Sequence, residues 1–244
     1  MRRKPLLLAA PAVLLAAGAA IASPHAPTPP LPAPSDFASR INNPWLPFPP
    51  GLVLTYRGIK DGHRAIDVET VTHKTEVIKG IRATVIHDRT YQWTGRGTRG
   101  RKYLAERTSD FYAQDKKGNV WYLGENTATL RPDGHVISIE GTWRTGVAGA
   151  RAGIFIAAHP KVGTGGYQEF YRGHAEDRYR VLRLDAHAST PVASSRHALL
   201  TKETTALEPG VVDHKYYIRG IGDVIEQTVK GGNERFTLVS IRRP

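Results

Sequence analysis

The sequence predicts an all-β protein, a curved antiparallel meander of about a dozen strands with little helix, closing into a barrel or half-barrel. Three observations carry this. Beyond Phe37, short apolar and β-branched runs alternate with turn formers, and no segment there shows the long apolar stripe of an amphipathic helix. Hairpin chemistry recurs at Lys60-Asp-Gly62, Lys79-Gly80, Asp115-Lys-Lys-Gly-Asn119, Arg131-Pro-Asp-Gly134 and Gly231-Gly-Asn233. A chain of 244 residues with 24 Gly and 17 Pro supplies turns for many short strands, and a meander of that length must curl to hide its edges.

The elements follow in order. Met1-Arg-Arg-Lys4, the apolar run from Pro5 to Ala22, and Ala20-Ile21-Ala22 before Ser23 have the pattern of a secretory signal peptide over 1–22. Pro5, Pro11 and Gly18 make that run a poor membrane span. Residues 23–36 hold Pro24, Pro27, Pro29, Pro30, Pro32 and Pro34, which favours polyproline II and predicts a semi-rigid linker. A single β-rich domain is expected over 37–244. Its candidate strands are 52–56, 65–78, 81–93, 103–114, 119–124, 135–143, 167–171, 179–184, 198–207, 211–218, 224–229 and 235–241. Residues 145–153, rich in Ala and Gly, are expected as an irregular or short helical connection. Between Ile81 and Trp93 the odd positions are mostly apolar and the even ones, Arg82, Thr84, Asp88, Thr90 and Gln92, mostly polar, which predicts a buried odd face and a wet even face.

Composition narrows the chemistry. The absence of Cys excludes disulfides, thiolate metal sites and a Cys-anchored lipoprotein, so an exported chain is expected in the periplasm or outside the cell. The formal charge is +12, leaving +9 once Arg2, Arg3 and Lys4 are removed, a balance that raises non-specific affinity for anionic polymers and lipid headgroups.

Several blocks are distinctive: Ile41-Asn-Asn-Pro-Trp-Leu-Pro-Phe-Pro-Pro-Gly51, Asp110-Phe-Tyr-Ala-Gln-Asp115, Gly118-Asn-Val-Trp-Tyr-Leu-Gly-Glu125, Gln168-Glu-Phe-Tyr171 and Leu207-Glu-Pro-Gly-Val-Val-Asp-His-Lys-Tyr-Tyr217. Together they resemble a family of exported bacterial β-rich proteins of unassigned function, from about Asn42 to Ser240. That resemblance implies a secreted or periplasmic β domain and brings no catalytic residues with it. In strand spacing alone the chain is also similar to periplasmic half-barrels of the lipocalin-like and lipoprotein-carrier kind.

Complete catalytic motifs are missing. Gly95-Arg-Gly-Thr-Arg-Gly100 matches G-x-G-x-x-G, but a β-patterned run follows where a dinucleotide site needs a helix N-terminus. Neither G-x-S-x-G nor H-E-x-x-H occurs. A dispersed metal set of His174, Glu176, Asp177 and His214 is chemically suited to zinc or manganese, although Asp213 and His214, being adjacent on a strand, point to opposite faces. The plainer alternative puts His214 with Val212, Tyr216 and Ile218 in an apolar core. Glu169 and Glu203 are expected on solvated faces. The cations Arg96, Arg99, Arg101 and Lys102, beside three Gly, form a basic hairpin tip able to contact polyanions without base-specific readout.

Aromatic residues occur in nearly every strand. Trp93, Trp121, Tyr122, Trp143, Tyr171 and Tyr217 are the candidates for an aromatic-lined concave sheet, with Asn43-Pro-Trp-Leu-Pro-Phe48 folding over an edge as the competing use of aromatic surface. The expected function is an exported, non-enzymatic binding or envelope protein for an apolar or amphipathic ligand, without a cofactor. The alternatives are a metal-dependent hydrolase and a polyanion-binding surface protein.

Overall fold

A computed structural model of the chain describes residues 28–95 and 100–244. The signal peptide expected over 1–22, the start of the linker, and Arg96 and Arg99 lie outside the described residues. The described chain is almost entirely β. A single 3-10 turn, Pro34–Asp36, precedes the strands. These are β1 Asn42–Asn43, β2 Leu46–Pro47, β3 Val53–Lys60, β4 His63–Ile78, β5 Ile81–Trp93, β6 Lys102–Gln114, β7 Val120–Leu130, β8 Val136–Ser138 and β9 Trp143–Arg144. They continue as β10 Arg151–Ile156, β11 Gly165–Tyr167, β12 Glu169–Phe170, β13 Asp177–Ser189, β14 Ser194–Thr205, β15 Val212–Ile218, β16 Gly222–Lys230 and β17 Arg235–Arg242.

The expected meander is present. Strands β13 to β17 pair in sequence, β17 pairs with β3, and β3 to β7 pair in sequence before β10 and β12, all antiparallel. Two-residue turns set the registers: Asp61 and Lys79 both adopt positive φ, followed by Gly62 and Gly80, so Lys60 faces His63 and Ile78 faces Ile81. The segment expected to be irregular at 145–153 is irregular over 145–150, its first six residues. Strand β10 begins at Arg151 and pairs with β7.

One short stretch nearly closes the barrel. Strand β11 pairs with β13, and β12, a residue further on, pairs with β10, so the chain from Gly165 to Phe170 stitches the two ends of the sheet. Between them the Gln168 N–H donates to Asp177 O at 2.8 Å, while Gln168 O accepts from Gly153 N at 3.1 Å. The seam is tight. A Cβ on Gly153 would sit 2.1 Å from Tyr167 O, and one on Gly165 2.1 Å from Tyr179 O, so only glycine lets these backbones approach.

Two apolar clusters flank the sheet. The larger fills one end of the barrel, where Trp45, Leu46 and Phe48 of the β1–β2 hairpin pack on Leu54, Val71, Ile86, Leu199, Tyr217 and Leu238. That hairpin is a plug, pinned by polar contacts: Gln114 Oε1 accepts from Asn42 N at 2.8 Å and Asn43 N at 2.7 Å, and Asn43 Nδ2 donates to Gly118 O at 2.8 Å. The smaller cluster lies on the outer face of β5–β7, where Ile81, Ala83, Val85, Phe111 and Trp121 are covered by Leu31 and Phe37 of the N-terminal segment.

Candidate functional site

Inside the barrel, above the plug, is a chamber of about 390 Å3. Its wall is stratified because strand residues two apart share a face, about 6–7 Å along the strand. On β4 the inward series runs Val71, Glu69, Asp67. On β5 it runs Ile86, Asp88, Thr90, on β6 Tyr112, Asp110, Thr108, and on β15 Tyr217 is followed by Lys215. Each strand therefore contributes an apolar or aromatic residue next to the plug and a charged or polar one nearer the other end. The registers hold these at matching depth: Asp67 faces Thr90, and Asp110 faces Glu125.

The floor is aromatic. Tyr112 and Tyr122 stack with centroids 4.6 Å apart, Phe48 lies 5.6 Å from Tyr112, and Phe155 meets Tyr112 edge-on at 5.1 Å. Above it is a belt of carboxyl groups. Among the described residues, eleven Asp and Glu side chains line the chamber against two Lys, in a protein whose formal charge is +12. The mouth is at the end of the β3–β4 and β16–β17 turns, where Lys60 and Glu106, paired at 3.1 Å, and Glu226 remain partly exposed.

Burial governs the protonation of this belt, because a charged carboxylate loses its hydration in the chamber. Desolvation, reinforced by Asp67 and Asp110, pushes Glu69 up to about 8. Asp110 is pushed up to about 7 by burial, even though the Tyr122 hydroxyl donates to its Oδ1 at 2.5 Å. Burial and the neighbouring Asp67 hold Asp88 well above the usual carboxylate range. Burial and other carboxylates do the same for Glu125, Glu169 and Asp223. Burial alone would lower Lys215, but Glu203 and Glu226, 3.3 and 3.4 Å away, raise it well above the ordinary lysine value. Three belt oxygens, Glu69 Oε1, Glu169 Oε2 and Asp223 Oδ1, are buried without a hydrogen-bond partner in the protein.

The residues singled out from the sequence distribute as follows. Of the six candidate aromatics, Tyr122 and Tyr217 line the chamber, and Trp143 packs behind it, edge-on to Tyr122 at 5.4 Å. Trp121 is on the outer face, 3% exposed, with Phe37 edge-on at 6.4 Å and its indole N–H donating to Asp115 Oδ2 at 2.9 Å. Trp93 is also outside, beneath the Arg64 guanidinium at 4.5 Å. Tyr171 stacks on His174 and borders a second cavity of about 250 Å3 with Trp143 and Arg144. The six do not share one concave face.

The candidate metal set does not converge either. Asp177 faces the chamber, whereas His174 Nδ1 is 2.8 Å from Glu140 Oε1 at the surface and Glu176 accepts from Gly173 N at 2.7 Å. His214 is on the outward side of β15, opposite Lys215. Among the described residues, no group of three or more His, Asp or Glu is arranged to hold a metal ion. Of the basic loop, Arg101 donates to Pro132 O at 2.6 Å and Lys102 lies over the Tyr91 ring at 4.8 Å.

Three sequence expectations are inverted by the acidic interior. On β5 the polar even face is the inward one beyond Ile86, with Thr90 5% and Gln92 7% exposed, while Tyr91 and Trp93 face outward. Glu169 and Glu203, expected on solvated faces, are turned inward, Glu169 buried and Glu203 half-buried against Lys215. His214 leaves the core face to Asp213, Lys215 and Tyr217; Asp213 Oδ1 accepts from Thr228 Oγ1 at 2.6 Å. The belt was missed because acids on a strand read as solvent-facing. The recurrence of a charged residue two positions mouthward of an apolar or aromatic one, at Glu69/Val71, Asp88/Ile86, Asp110/Tyr112 and Lys215/Tyr217, is the signal that could have found it.

No protein-family model and no curated protein matches the chain, so the family resemblance of its sequence blocks stands on those blocks alone. One solved structure, from Bacteroides fragilis NCTC 9343 and described as a presumptive exported protein with a YmcC-like fold, is similar at a TM-score of 0.45 and 11% identity. The likeness covers 82% of this chain and 99% of that one. It is too loose to carry residues or function across. No helix among the described residues is long and apolar enough to cross a membrane.

Proposed function

We propose that the protein is an exported, non-catalytic binding protein that holds an amphipathic small molecule in its barrel. One observation supports this above all: a single chamber changes from an aromatic floor, Phe48, Tyr112, Tyr122 and Phe155, to a carboxyl belt within two strand residues. Its volume is in the range of small-molecule sites, and a plugged floor with one partly exposed mouth suits retention better than turnover. An apolar tail would displace water from the aromatic floor, at about 25 cal/mol per Å2 buried, while the polar end meets the belt. Export rests on the charged and apolar N-terminal pattern.

Native mass spectrometry of freshly purified protein, paired with titration by the neutral fluorophore N-phenyl-1-naphthylamine, tests the reading. A retained small molecule, or stoichiometric fluorophore binding weakened about tenfold by Phe155→Ala, is expected. A protein that carries nothing and gives no fluorophore signal would contradict it.

A further inference from the structure

Resting on the reading of the barrel as a binding chamber, we infer that its ligand is a cationic amphiphile, an alkyl amine, whose ammonium group is held at the carboxyl belt by Glu169 foremost, with Asp223 and Glu69 the other unpartnered carboxyls of the same chamber. Among the described residues, the chamber wall carries eleven carboxyl groups and only two ammonium groups. Lys60 is engaged by Glu106 near the mouth, and Lys215 by Glu203 and Glu226, so the two ammonium groups of the wall are already taken. Glu169, 6% exposed and lining the chamber, keeps a buried Oε2 with no partner, as do Glu69 Oε1 and Asp223 Oδ1. The Trp143 indole N–H lies beside Glu169 and favours its ionised form without completing a hydrogen bond.

An unpaired carboxyl in such a site costs free energy that a donor would recover, and the three N–H groups of an ammonium are donors only. An anionic headgroup would meet repulsion wherever the belt ionises, and a merely accepting one would leave the bare oxygens unmatched. The ammonium has a route from solvent, since the mouth carries Glu106, Glu226 and Glu234. The aromatic floor below fixes where the tail goes. Burial and the charge of Asp177 hold the Glu169 carboxyl up, and Glu125, Asp110 and Lys215 also bear on this region. An arriving cation therefore favours ionisation there, and the displaced proton leaves to solvent.

The test is isothermal titration calorimetry of the whole protein at pH 7 with octylamine, octanol, octanoate and spermidine, run in two buffers of different ionisation enthalpy. Octylamine is expected to bind at least tenfold more tightly than octanol, octanoate not to bind, and octylamine binding to release protons. Spermidine, a cation without a tail, is expected to bind more weakly than octylamine. In Glu169→Gln, and separately in Asp223→Asn, octylamine affinity should fall about tenfold with octanol affinity unchanged. Equal binding of octylamine and octanol would overturn the cationic ligand and leave the chamber reading standing. Equal spermidine and octylamine binding would overturn the amphiphile, and octylamine preference unchanged in both variants would overturn the assigned carboxyls. Binding of none of the four would overturn both the inference and the reading beneath it.

Discussion

Glu69 stands between Val71 on the floor side and Asp67 on the mouth side, with one carboxyl oxygen unpartnered. Its carboxyl rises from 4.5 to about 8, chiefly through burial. A raised acid binds its proton more tightly in the folded chain, so folding carries no penalty while both states are protonated. The penalty grows as pH climbs from about 4.5 and is complete above about 8. Asp110 and Glu234, both pushed to about 7 by burial, act in the same direction. The ligand-free protein is therefore expected to melt at a lower temperature at pH 8.5 than at pH 5.5. Glu69→Gln should flatten that slope and add about 1–3 kcal/mol at pH 8.5. A melting temperature that rises over this range, by calorimetry, would show that the belt is ionised and compensated. At this scale the sequence was least legible. Glu169 and Glu203 look like solvated residues on any alternating strand, and only the closure of the sheet turns them inward.

Among elements, the strands with a predominant alternation and two-residue turns were the legible ones: β5 runs from Ile81 to Trp93, the bounds its pattern indicates. Strand β10 was not legible, since Arg151-Ala-Gly153 lacks alternation and pairs because Gly153 admits the seam backbone. The distinctive sequence blocks fall on the parts that close the chamber: the plug, the β6–β7 wall, the seam at 168–171 and strand β15. The plug illustrates how few contacts hold such a part. Asn43 is 1% exposed, and Gln114 both accepts from two backbone N–H groups and donates to Asn42 Oδ1 at 2.7 Å. Gln114→Ala leaves those buried groups unpaired and should cost about 1–3 kcal/mol by urea denaturation. Loss of under half that, with Trp45 fluorescence unchanged, would mean that apolar packing alone seats the hairpin. The N-terminal segment shows the same economy. Leu31 and Phe37 cover the outer apolar cluster of β5–β7, and Lys116 N donates to Asp36 O at 2.7 Å, so residues 31–37 act on the barrel wall in addition to any spacing role.

At the scale of the whole molecule, a cationic exterior encloses an acidic interior. The formal charge of +12 is a property of the surface and the termini, whereas the chamber gathers eleven carboxyl groups and two lysines among the described residues. Net charge read from composition therefore describes the exterior, whereas the chamber wall carries an excess of carboxyl groups. Composition cannot separate inside from outside in a barrel, because closure alone decides which half of each alternating strand faces water. The β class, the meander and the approximate strand number were legible, since they depend on local pattern and turn chemistry. The chamber was not, since it depends on how strands far apart in sequence, β10 and β13, meet through one six-residue stretch. The most direct measurement is a crystal structure of the protein with octylamine. The amine nitrogen is expected within hydrogen-bond distance of Glu169 and the alkyl chain on Phe48, Tyr112 and Phe155. Octylamine found only in the surface cavity between Trp143 and Tyr171, with the chamber holding solvent alone, would contradict that placement.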